Sequence, residues 1–136
     1  MSFENDFVKF EFDKNTLYAK VIAKKSLPDN DAEFDDFLTY FGNFYQACNQ
    51  IDQRFILLYD LTELGLLKYE QYNKWTKLFK DYEAITIKCL ICSSIICSNS
   101  LIAEVINTLL KFYDNQKPIK IVTNEEDAIL FIDENL

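Results

Sequence analysis

Three of the four cysteines fall within KCLICSSIICSNS, residues 88–100, and Cys89 and Cys92 have the C-x-x-C spacing of zinc knuckles and dithiol centres. Either chemistry needs two sulfurs converging on one point. The stretch over 86–96 is β-branched and apolar and predicts a strand. Positions three apart in a strand project to opposite faces, so these sulfurs diverge. The chain has no second C-x-x-C and no histidine to complete a ligand set, and no helix N-terminus follows Cys89 to lower its pKa. Cys89, Cys92 and Cys97 therefore read as small buried hydrophobes, and Cys48 falls on an apolar helix face. No metal site and no cofactor are expected.

The polar end of the same stretch carries a different possibility. Ligands of open α/β sheets bind beyond the carboxyl ends of the strands, which would gather Asp60, Thr62, Ser98, Asn99, Ser100, Thr123 and Asn124. Helix N-termini point to that edge, and their free N–H groups could hold an anion. Capping alone also accounts for Ser98, Ser100 and Asn124. The acidic residues Asp29, Asp31, Glu33, Asp35 and Asp36 crowd one helix start, where they complement the helix dipole and read as a solvated face. Without histidine, Ser-His and Cys-His nucleophiles are excluded. With Gly42 and Gly65 as the two glycines, there is no phosphate-binding loop and no dinucleotide fingerprint. No catalytic residues emerge, and an enzyme built on Asp60 and the Ser98–Ser100 cluster is disfavoured.

The elements that must position these residues follow from periodicity. Val8, Phe10 and Phe12 alternate with polar residues, a DKN turn follows, and Leu17, Ala19, Val21 and Ala23 share the core face of a second strand. Pro28 breaks the pattern, and Asn30 with Glu33 resembles a capping box. Phe34, Phe37, Leu38, Phe41, Phe44, Tyr45 and Cys48 predict a helix to about Gln50. RFILLYDL, residues 54–61, reads as a strand covered on both faces. Tyr69, Tyr72, Trp75, Phe79 and Tyr82 line a helix over about 67–83. After the strand over 86–96, Ser98 or Ser100 caps a helix whose Leu101, Ile102, Val105, Ile106, Leu109, Leu110 and Tyr113 form an apolar face down to about Asp114. KPIKIVT gives a last strand, and Asn124 starts a short helix lined by Ala128, Ile129, Phe131 and Ile132. The order is β-β-α-β-α-β-α-β-α, an α/β fold with a largely parallel sheet, one antiparallel edge hairpin and helices packed on it.

At 136 residues the chain fits a single domain, residues 1–136. Its net charge of −8 disfavours nucleic acid and anionic membrane surfaces. No apolar stretch approaches the ~20 residues that span a bilayer, and no signal segment opens the chain, so a soluble cytoplasmic protein with reduced thiols is expected.

The order of elements, with RFILLYDLTEL, the Trp75 helix, CLICSSIICSNSLIAEVINTLLKF and PIKIVTNEEDAILFI, resembles the SpoIIAA-like (STAS/SEC14-type) family over nearly the whole chain. The resemblance implies a small non-enzymatic regulatory or protein-interaction module. In anti-sigma-factor antagonists of that family a Ser or Thr in the turn after the third strand is phosphorylated. The matching turn here is DLTELG, residues 60–65, where Thr62 is the hydroxyl and no Asp-Ser precedes it. The SEC14-type side implies instead a small-molecule or lipid carrier with an apolar pocket between sheet and helices. For the interaction reading, Tyr69, Tyr72, Trp75, Phe79 and Tyr82 are the candidate contact face, flanked by Lys68, Lys74, Lys77 and Lys80, although their spacing also suits a core face. The partner would be a protein or a second copy of the chain, since self-association would bury apolar area that one small sheet leaves uncovered.

Overall fold

Apolar residues alternating with charged ones build the first edge of the sheet. The computed structural model describes residues 1–24, 31–65, 67–112 and 117–136. In it β1 (Ser2–Glu4), β2 (Val8–Phe12) and β3 (Tyr18–Ala23) form an antiparallel meander. The edge thus has one strand more than the expected hairpin, because Phe3 pairs with Phe10 and packs on the core. Then follow α1 (Asp31–Gln50), β4 (Phe55–Asp60), α2 (Tyr69–Asp81), α3 (Glu83–Cys89), β5 (Leu90–Ile96), α4 (Ser100–Phe112), β6 (Ile119–Val122) and α5 (Glu125–Glu134). The six strands lie in sequence order, with β3 to β6 parallel. No helix among the described residues is long and apolar enough to cross a membrane.

Successive parallel strands lie side by side, so α1, α2 with α3, and α4 all cross on one face of the sheet. Register aligns Phe3, Phe10, Val21, Tyr59, Ile95 and Ile121 as one row across that face. Onto it α1 presents Phe34, Phe37, Phe41, Phe44 and Tyr45, each 0% exposed. Many of the rings meet at steep angles, as Phe10–Phe44 at 4.9 Å and Phe44–Phe55 at 5.0 Å illustrate, while Phe37 stacks on Phe41. Among the described residues the helix on the opposite face is α5, through Ala128 and Ile132 on Ile56, Leu58, Cys92, Ile96 and Val122. As expected of RFILLYDL, β4 is buried on both sides.

Three expectations change. Residues 86–89, expected to open the strand, are helical as part of α3: Thr86 and Cys89 turn inward while Ile87 is 48% exposed. The β-branched Thr86 is accommodated because its hydroxyl donates to Tyr82 O at 3.2 Å. Leu17 leaves the Ala19–Val21–Ala23 face, since its φ of 68° turns it toward the second cluster. This left-handed backbone closes the turn in which Leu17 N–H donates to Asp13 O at 2.8 Å. The cap of α4 is Asn99, whose Oδ1 accepts from Leu101 N at 3.0 Å and Ile102 N at 3.2 Å, rather than Ser98 or Ser100. Pro28, Asp29, the Asn30 half of the capping box, Tyr113 and Asp114 lie outside the described residues.

Candidate ligand cavity between sheet and helices

The strand ends gather as topology requires. Leu61 N–H donates to Ile96 O and Cys97 N–H to Val122 O, both at 2.9 Å, so the carboxyl ends of β4, β5 and β6 share one edge. The polar groups there are engaged locally. Asp60 Oδ1 accepts from Thr62 N at 3.1 Å and from Thr62 Oγ1 at 2.6 Å. Asn124 Oδ1 accepts from Asp127 N at 2.8 Å, capping α5. Asn99 caps α4, while Ser98, Ser100 and Thr123 are exposed. Among Asp60, Thr62, Ser98, Asn99, Ser100 and Asn124, the direct contact is Asp60 with Thr62. Capping and turn geometry explain Asp60, Asn99 and Asn124.

The cysteines are core thiols. All four are buried and unpaired by disulfides. Cys89 and Cys97 belong to the larger cluster and Cys92 to the one beneath α5, so the C-x-x-C sulfurs diverge. The divergence arises at the helix-to-strand junction and at a bulge beside Phe55–Leu57, rather than along one regular strand. Burial pushes every thiol up, Cys48 to about 12 with the neighbouring Cys89 adding to it. Such thiols are held protonated, not poised as nucleophiles. Among the described residues no group of three or more His, Cys, Asp or Glu could hold a metal ion.

The aromatic residues of α2 turn largely inward. Trp75 lies 6.0 Å from Phe34, 5.9 Å from Phe37 and 5.8 Å from Tyr59, ring centre to ring centre. Phe79 contacts Phe41, and Tyr82 stacks on Tyr45 at 5.7 Å. Tyr72 is half-buried, with burial raising its phenol pKa, and Tyr69 is 76% exposed. Two of the lysines expected on this surface bind α1 instead: Lys68 reaches Asp31 at 3.1 Å and Lys74 reaches Asp35 at 2.9 Å. Part of the acidic start of α1 thus serves to dock α2, at about 0–1 kcal/mol for each exposed pair.

Between these inward rings and the sheet lies a cavity of about 120 Å³. Its floor is Leu57 and Tyr59 of β4, Leu90, Ser93 and Ile95 of β5, and Ile119 of β6. Its roof is Tyr72, Trp75, Thr76 and Phe79 of α2, Thr86 of α3, and Ile106, Leu109 and Leu110 of α4. Leu61, Leu64, Leu67 and Lys117 also line it, as does Tyr45 of α1. The register shows why space is left. Phe12, Ala19, Leu57, Ser93 and Ile119 form one row, and the serine supplies a small side chain between two large aliphatic ones. On the other side α4 seats Ile102 fully, while Ile106, Leu109 and Leu110 are half-buried and line the cavity. The expected apolar face of α4 is therefore only partly core, and Leu101 is 55% exposed.

Within this cavity, the aromatic stripe named from sequence supplies Tyr72, Trp75 and Phe79. Ser93, Thr86, Ile106 and Lys117 were not singled out as site residues. A signal existed in the small polar Ser93 and Ser94 interrupting an otherwise apolar strand. Comparison with protein-family models, with curated proteins and with solved structures gave no match.

Proposed function

We propose that this chain binds a small apolar molecule between its sheet and helices, and works by holding it rather than by transforming it. The carrying observation is the 120 Å³ cavity walled by Leu, Ile and aromatic side chains. An engineered interior cavity of roughly 150 Å³ with similar walls binds benzene or xenon, so an occupant of about six carbons suits this one. Burying six methylene-sized groups at about 0.8 kcal/mol each gives a gross ~5 kcal/mol, and since association costs offset part of it the affinity is expected at about millimolar or weaker. In this reading the order of strands and helices is SpoIIAA-like, and the SEC14-type carrier side of that resemblance is the relevant one. The protein-interaction reading draws less support, because four of the five aromatic residues of its contact face pack inward or are half-buried.

Trp75 is the single tryptophan and lines the cavity, so its fluorescence reports occupancy directly. Titration with 1-hexanol is expected to change that emission saturably with unit stoichiometry. A linear change equal to that of free tryptophan would overturn the proposal.

A further inference from the structure

We propose that the occupant carries an anionic head, and that the preferred ligand class is a small aliphatic or aromatic monocarboxylate with its head at Lys117. This rests on the cavity being a ligand site. Lys117 is the one charged side chain among the described residues lining the cavity, and it is half-buried. Lys9, Lys24, Lys68, Lys74 and Lys88 each hold a carboxylate. Lys117 has no such partner among the described residues, although the chain carries a net charge of −8. An ammonium beside apolar walls, with no counter-charge among the described residues, favours an incoming anion.

Among the uncharged polar groups of the wall, one points to the same chemistry. Thr76 and Thr86 already donate their hydroxyl protons, to Tyr72 O at 2.9 Å and Tyr82 O at 3.2 Å. The indole N–H of Trp75 is buried and has no hydrogen-bond partner among the described residues. Indole offers a donor and nothing else, and an ammonium likewise only donates. Thr76, Thr86 and Tyr72 keep hydroxyl lone pairs that can accept, so the demand for an acceptor-rich head on an apolar body comes from Lys117 and the Trp75 N–H. A carboxylate meets this demand with two acceptor oxygens, where an alcohol offers one weaker oxygen and a hydrocarbon offers none.

The test compares hexanoate with 1-hexanol, two probes of equal chain length that differ in head group, by Trp75 fluorescence and calorimetry on the full chain at neutral pH. Wild type is expected to prefer hexanoate by roughly tenfold, with the preference shrinking as salt is added. Lys117→Met is expected to lose roughly that tenfold for hexanoate and clearly less for 1-hexanol, with its fold checked separately by circular dichroism and a urea melt. Preference for 1-hexanol in wild type, or an unchanged ratio in Lys117→Met, would overturn the head-group assignment and leave the cavity as a ligand site. Binding of neither probe would overturn both proposals together. The wild-type comparison decides the point even if the variant does not fold.

Discussion

Substituting Ser93 by valine would put the cavity to a stability test that needs no ligand. Ser93 is 4% exposed, sits on β5 between Leu57 and Ile119, and lines the cavity. Valine exchanges one hydroxyl for two methyl groups that would project into empty space, and its branching suits a strand. At about 0.8 kcal/mol per methyl-sized group buried, the expected gain is about 1–2 kcal/mol. A urea slope of about 1–3 kcal/mol per molar converts this into a midpoint raised by about 0.3–2 M, with the slope itself unchanged. The same variant should bind 1-hexanol more weakly, because added methyls occupy the ligand's volume. If the site were already filled, the added groups would overpack it and cost about 1–3 kcal/mol. A lowered midpoint would therefore refute the cavity and the function built on it.

Other positions give independent checks. Gly42 lies in α1 against Tyr82, where a Cβ would stand 2.9 Å from the phenol oxygen and 3.2 Å from the ring. Gly42→Ala should forfeit the usual helical gain of about 1 kcal/mol by displacing Tyr82 from Tyr45, and recover it in a Tyr82→Ala background; thermal melts of the four chains measure this. For Cys48, held near 12 by burial, the unfolded thiol releases its proton from about pH 8.5–9 while the folded one keeps it. The unfolded state then binds fewer protons, so stability present below that range falls as pH rises, by about 1.4 kcal/mol per pH unit for this thiol. Cys48→Ala should flatten the loss by that amount in urea melts between about pH 9 and pH 10. Asn99→Ala should cost about 1 kcal/mol and Ser100→Ala less than about 0.5, by urea denaturation, since Asn99 caps α4.

What the sequence made legible follows the strength of each periodic signal. The stripe from Phe34 to Cys48 is long and regular, and the structure buries nearly all of it. AITIK failed because a short β-branched run fits a strand and a buried helix alike, and the junction at Tyr82 is decided by packing on α1. The cap at α4 went to Asn99 over two neighbouring serines, a choice among adjacent capping residues that composition does not rank. The cavity was foreseen only as the consequence of a family likeness. Its cause is a register that sets Ser93 between Leu57 and Ile119, and pairing register between distant segments is not written in either segment alone.

The most direct measurement is a crystal structure collected under xenon pressure. Xenon probes size and apolar character together and needs no polar contact. One ordered xenon is expected between Ser93 and Ile95 of the sheet and Trp75 and Leu110 of the helices, with side chains unmoved around it. A site left empty, with Trp75 or Ile106 collapsed onto Ser93, would contradict this expectation.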